Sequence, residues 1–199
     1  MSAPLSLSDD LFVAAGTDRS CYRHPVETGL CVKLLLPERR PGRFWREVKY
    51  FKSLQRRGAD LNQVADFHGL VETSLGTGAL FDLVLDDDGQ VAKSLAFYLA
   101  QHNQRFNDWV IDALASLVRN LYHQWIVFHD LNPGNILAQR LGFDEYRLIV
   151  IDGIGHNHFI PLASYSRRYA RKKIRRVWNR RCRQWYQDFP AIVGQLEAL

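Results

Sequence analysis

The stretch Phe128-His-Asp-Leu-Asn-Pro-Gly-Asn-Ile-Leu137 sets a carboxylate, Asp130, five residues before a carboxamide, Asn135, on a loop bracketed by apolar runs. Twenty-two residues after Asp130, the run Leu148-Ile-Val-Ile-Asp-Gly153 ends in Asp152 followed at once by glycine. Each feature alone is ordinary, because Asp and Asn populate turns and caps and Asp-Gly closes many strands. In this order, each beside an apolar run, they form a combination that turn chemistry rarely produces by accident. Their side chains offer oxygen, the ligand atom that hard magnesium prefers. Upstream, Cys31-Val-Lys33 puts an ammonium inside an apolar run, where it would be costly without a partner. Glu47 follows fourteen residues later, beside a helical stripe.

These side chains need elements to hold them. Residues 11–14 predict a strand leading into a polar turn at 16–20, and residues 29–36 a second strand closed by Pro37. Apolar positions 44, 45, 48, 51 and 54 give a helical period. Residues 64–71 and 79–85 predict two more strands before the acidic turn Asp86-Asp-Asp-Gly89. From 91 to 125 the pattern is helical: Leu95, Leu99 and Phe106 predict one helix, and Val110, Leu114, Leu117, Val118 and Leu121 another. Short strands are expected at 126–128, 135–137 and 147–151, and the tail from 164 reads as helix.

At 199 residues, with 47% hydrophobic and 24% charged positions, the chain is long enough for a real core in one domain or two small lobes. Three cysteines, Cys21, Cys31 and Cys182, fit neither a disulfide framework nor a metal-ligand spacing, so reduced thiols are expected. The N-terminus lacks the pattern of a signal peptide, and no apolar run reaches the roughly 18 residues of a membrane span.

The pairing of Asp130-to-Asn135 with Asp152-Gly153 resembles the catalytic loop and metal-binding motif of the protein-kinase-like superfamily. The resemblance implies a compact bilobal α+β fold, with an antiparallel sheet-rich N-lobe at 1–85 and a reduced helical C-lobe at 86–199. It implies that Asp130 orients the acceptor hydroxyl or takes its proton, and that Asn135 and Asp152 hold magnesium against the phosphates of ATP. Lys33, paired with Glu47, would grip the α- and β-phosphates. Gly16 would start the phosphate-covering loop, which has one glycine where that superfamily usually has three, leaving Arg19 or Arg23 to supply positive charge.

Phe128-His129-Asp130 lacks the arginine of the protein-kinase H-R-D triplet, and only 47 residues follow Asp152. Both features argue against a protein substrate. Asp130 to Leu137 looks more like small-molecule kinases of the aminoglycoside and lipopolysaccharide-core type. The chain also resembles the bacterial YrbL family, associated with the PhoP regulatory network, through Cys21-Tyr-Arg-His-Pro25, Leu30-Cys-Val-Lys33, Ile151-Asp-Gly-Ile-Gly155, Ile160-Pro161 and a basic tail.

That tail has ten Lys or Arg residues between Arg167 and Arg183 and no acid, leaving 16 basic against 21 acidic residues elsewhere. Tyr169, Ile174, Val177, Trp178, Cys182 and Trp185 recur among them at near-helical spacing. A cationic amphipathic helix results, with its apolar face packed inward and its charges toward an anionic partner. The expected partner is an anionic membrane surface rather than nucleic acid, because the aromatics do not form a base-stacking array. The first functional expectation is an ATP- and magnesium-dependent phosphotransferase acting on a saccharide or glycolipid hydroxyl, cytoplasmic and peripheral to the inner membrane where lipid is met. The alternatives are a regulatory pseudokinase that binds nucleotide, and a nucleic-acid-associated protein.

Overall fold

The alternation in Leu30-Cys-Val-Lys-Leu-Leu35 becomes the middle strand of a five-stranded antiparallel sheet. The computed structural model describes residues 3–101, 104–143, 145–155 and 166–182. The sheet contains β1 (Phe12–Ala15), β2 (Arg19–Arg23), β3 (Leu30–Leu35), β4 (Phe67–Thr73) and β5 (Gly76–Asp82), in the spatial order β1-β2-β3-β5-β4. Successive strand side chains point to opposite faces. Cys31, Lys33 and Leu35 therefore share a face with Arg23, Cys21 and Arg19, their register partners on β2. Val32 and Leu34 face the other way and join Leu7 in a small core. The N-terminal segment lies along that side, where Leu5 pairs with Thr73.

Helix α1 (Gly42–Arg56) buries Phe44, Val48, Phe51 and Leu54, spaced three or four residues apart as one helical face requires. Phe51 meets Phe81 edge-on at 5.2 Å between ring centroids, and Phe67 stands 5.6 Å from Phe81. This aromatic group locks the helix to β4 and β5.

Beyond residue 86 a second antiparallel sheet, β6-β7-β8, is built from β6 (Lys93–Ser94), β7 (Ile136–Gly142) and β8 (Glu145–Val150). Helices α2 (Leu95–Leu99), α3 (Gln104–His123) and α4 (Arg167–Val177) complete a mixed α+β fold with four α-helices among the described residues. One connected core joins Phe51 and Phe81 to Leu114, Leu121, Phe128, Ile136, Leu148 and Ile174, so it crosses residue 86 without a break.

Several local expectations need correction. The polar turn expected at 16–20 is shorter, because Arg19 and Ser20 already belong to β2. The helix expected to link 95, 99 and 106 is two helices, α2 closing at Leu99 and position 106 falling in α3. The start of the expected helical region instead contains β6, and Ser94 caps α2 by accepting the Phe97 N–H. Residues 126–128 form no strand, only a bridge between Phe128 and Ile154. Ile160-Pro161 and Trp185 lie outside the described residues. No helix of the described residues is long and apolar enough to cross a membrane.

Tyr50 fastens α1 to the chain just before the Asp130 loop. Its hydroxyl accepts the Val127 N–H at 2.7 Å, and Val127 is fully buried. Burial pushes the phenol pKa up to about 12, so the group stays neutral and hydrogen-bonded. Tyr50→Phe leaves that N–H buried without its acceptor and is expected to cost about 1–3 kcal/mol. A lower urea midpoint with an unchanged slope would show it; an unchanged midpoint would refute it.

Candidate functional site

Two loops face each other because Phe128 and Ile154 pair across them. The His129 N–H donates to Gly153 O at 2.8 Å, and the Gly155 N–H donates to Val127 O at 2.7 Å. Gly153 sits at φ +83°, and a Cβ there would lie 1.9 Å from the Asp130 carbonyl oxygen and 3.3 Å from Asn135 Nδ2. No side chain fits such an approach, so glycine after Asp152 is a steric requirement as well as a conformational one.

The Asp130 carboxylate is fixed by Asn132. Oδ1 accepts the Asn132 N–H at 3.1 Å and Oδ2 accepts Asn132 Nδ2 at 2.9 Å. Asn132 in turn accepts the Gly134 N–H at 2.8 Å, capping the 3-10 turn Pro133–Asn135. Asn135 donates weakly through Nδ2 to Asp130 O at 3.5 Å, so Oδ1 is the atom it can offer a cation. The Asn135 carbonyl accepts the Ile151 N–H at 2.9 Å, tying the loop to the strand that delivers Asp152.

From the five-stranded sheet, Lys33 reaches across and donates to Ile151 O at 2.6 Å. Its ammonium also stands 4.3 Å from the Phe81 ring centroid, a cation–π contact that helps hold it in place. The ion pair of Glu47 is formed with Arg19, not with Lys33 as the sequence suggested. Arg19 and Lys33 project from the same sheet face, and Arg19 lies nearer the helix carboxylate.

All these groups line one cleft of about 750 Å³. Gly16, Lys33, Glu47, Asp130, Asn135 and Asp152 are brought together there, with Arg19 and Asn132 added. Gly16 closes the β1–β2 turn by donating to Arg19 O at 2.8 Å. Asn132 was missed as a positioning group, although Asp-x-Asn is a side-chain-to-backbone turn pattern that could have revealed it.

The carboxylates differ in environment. Burial pushes Asp152 up, but Lys33, Arg19, the Gly153 N–H and His129 outweigh it and hold the group below the ordinary carboxylate range. It is therefore an anion that opens to the cleft. Burial pushes Glu47 above its usual value; Arg19 opposes the rise and Asp152 adds to it. Among the described residues no group of three or more His, Cys, Asp or Glu is placed to hold a metal unaided. Asp152 and Asn135 suit an ion that takes its other ligands from phosphate and water, as magnesium does. Cys21 and Cys31 are free thiols in the same cleft.

An α+β protein with an anionic loop pair facing a cationic sheet is thus defined by geometry. Its family is shown by comparison: residues 5–186 match the model of the PhoP regulatory network protein YrbL family, to which the chain belongs. It is 33% identical over 181 residues to the "Uncharacterized protein YrbL" of Escherichia coli (strain K12), covering 88% of this chain and 85% of that one. The protein of the same name from Shigella flexneri gives the same figures.

The Arg19–Glu47 pair yields a stability prediction. Arg19→Met leaves a buried carboxylate without its partner, an arrangement that costs about 3–5 kcal/mol while the charge persists. Glu47 has its folded pKa above the unfolded value, so the folded state binds the extra proton and stability falls as pH rises through the interval between them. The Arg19→Met deficit should therefore be larger at pH 8 than near pH 5, and Arg19→Met/Glu47→Leu should recover most of it. Urea midpoints at both pH values check this; a deficit independent of pH and of Glu47 would show that the pair is not its cause.

Proposed function

We propose that this chain is an ATP- and magnesium-dependent phosphotransferase of protein-kinase-like architecture, acting on a hydroxyl of a saccharide or glycolipid-like small molecule. The observation that carries the reading is the convergence of Lys33, Asp130, Asn135 and Asp152 on one cleft from separate elements. Asn135 Oδ1 and the Asp152 carboxylate would hold magnesium, which would screen charge on the phosphates. Lys33 and Arg19 supply positive charge on the sheet side, where the β1–β2 turn has few glycines to offer backbone amides. The acceptor oxygen bonds to the γ-phosphorus as the bond to the ADP oxygen breaks, and its proton passes to Asp130, held ready by Asn132.

Magnesium-dependent ATP binding, followed by calorimetry, is expected for the wild type and lost in Asp152→Ala. Asp130→Asn should keep nucleotide binding and lose about 10²–10⁴-fold in turnover. Nucleotide binding indifferent to Asp152 would overturn the assignment. Screening phosphorylated-sugar precursors and glycolipid headgroups for phosphate acceptance would identify the second substrate.

A second reading, a nucleotide-binding regulator without turnover, is favoured by one observation. Glu47 is held by Arg19 and Lys33 by Ile151 O, so the lysine–glutamate pair expected of an active kinase-like site is absent from the described contacts. The regulatory name of the family fits it as well. Nucleotide binding with no phosphate transfer to any hydroxyl substrate would favour this reading over the first.

Cys21 gives an independent readout. Its thiol is lowered chiefly by the hydrogen bond from Cys31, with help from Lys33, and a thiolate is the reactive form. Magnesium–ATP should slow its alkylation by iodoacetamide in the wild type and not in Asp152→Ala. Equal rates with and without nucleotide would place the ligand elsewhere.

A further inference from the structure

Helix α4 carries its charge in a pattern. Arg168, Arg171, Lys172 and Arg175 stand at i, i+3, i+4 and i+7, which is one helical face. Ala170, Ile174 and Trp178 stand on another and are buried in the main core. The four cations line a shallow groove of about 730 Å³ beside Tyr122, and no carboxylate of the described residues lines it. Like charges at this spacing destabilise a helix. The first turn adds to that cost, because it contains no acid and the positive end of the helix dipole faces Arg168.

Two of the charges are held in place. The Arg171 guanidinium lies 4.9 Å from the Tyr122 ring centroid and that of Arg175 lies 5.9 Å from it. Arg175 also donates to the Tyr122 hydroxyl at 3.4 Å. Arg171 Nε is buried with no hydrogen-bond partner among the described residues. Arg168, Arg171 and Lys172 form no ion pair with any described carboxylate. Two guanidiniums held at the Tyr122 ring, beside Arg168 and Lys172 with no described carboxylate on them, present a row of cations suited to phosphate oxygens.

We propose that this groove binds the phosphate headgroups of an anionic phospholipid surface, docking the protein on a bilayer without insertion. The buried apolar face of α4 excludes the usual insertion of an amphipathic helix, because Ala170, Ile174 and Trp178 are already committed to the core. Among the described residues of α4, Tyr169, 45% exposed at the rim, is placed to sit at headgroup level. Nucleic acid is disfavoured because two guanidiniums stand over the Tyr122 ring, which leaves Tyr169 as a single exposed ring in the groove where base stacking uses a series of them. The proposal is independent of the phosphotransferase reading, since the groove shares no residue with the cleft.

The test is flotation of the full chain with vesicles of phosphatidylcholine, with and without phosphatidylglycerol. The wild type should float with the anionic vesicles only and be released by high salt. Each cation near an anionic surface contributes about fivefold, so Arg168→Gln/Arg171→Gln/Lys172→Gln should partition about a hundredfold less. Its thermal midpoint should stay close to that of the wild type, because the repulsion removed between the cations offsets the lost Arg171–Tyr122 contact. Arg168→Lys/Arg171→Lys, which keeps the charge, should still float. No flotation of the wild type, or equal flotation of the triple Gln variant, would overturn the proposal. So would stabilisation of the wild type by inorganic tripolyphosphate, or its binding of a single-stranded oligonucleotide, when vesicles do not bind. The first would identify a soluble phosphate as the ligand and the second a nucleic acid.

Discussion

The approach of Gly153 to the Asp130 carbonyl governs the geometry of the cleft. With 1.9 Å between that oxygen and any added Cβ, the two loops can close only over a bare backbone. The Phe128–Ile154 bridge and the Gly155-to-Val127 hydrogen bond flank the contact. Together they set Asp130 and Asp152 on the same wall with a fixed offset. The hydrogen bond from Ile151 to Asn135 fixes the third oxygen donor against the other two. None of these restraints depends on the charges they position, so the acidic wall is built by main-chain pairing and steric fit.

The opposite wall is made by strand register and is electrostatically more delicate. Arg19, Cys21 and Arg23 face the same side as Lys33 because β2 and β3 pair in one register; a shift by one residue would turn them all away. Within that face Arg19 binds Glu47 while Lys33 binds a main-chain oxygen next to Asp152. Two cations and two anions therefore share one cleft, with Glu47 buried and Asp152 open to it, each raising or lowering the cost of its neighbours. A buried charge such as that of Glu47 is expensive unless matched, and Arg19 matches it. The present arrangement leaves Glu47 harder to ionise and Asp152 easier.

Much of this arrangement is legible in the sequence. Asp130, Asn135, Asp152, Lys33 and Glu47 could be named because each sits beside an apolar run whose burial aims it inward, and those runs are local patterns. The mixed strand-and-helix content followed from the same periodicities. What escaped depends on partners distant in the chain. The strand Arg19-Ser-Cys-Tyr-Arg23 has no apolar–polar alternation and lies at intermediate burial throughout, so its pairing with β3 rather than its own pattern makes it a strand. The choice of Arg19 over Lys33 for Glu47 is set by a diagonal across two strands and by where α1 lies, neither of which a spacing in sequence reports. Two-residue β6 is held only by its ladder with β7 and has no period of its own.

The basic segment shows how burial can override a local preference. A run with cations at i, i+3, i+4 and i+7 and none of the acids that would pair with them is a poor isolated helix. It is helical here because Ala170, Ile174 and Trp178 enter the core that also contains Phe128 and Leu131. The hydrophobic face fixes the helix, and the helix then presents its charges in a row, two of them against Tyr122. The same core thus supports the loop of Asp130 and the cationic stripe of α4. A force or ligand at the stripe acts on an element that packs into the cleft's own foundation, so the two surfaces share a support although they share no residue.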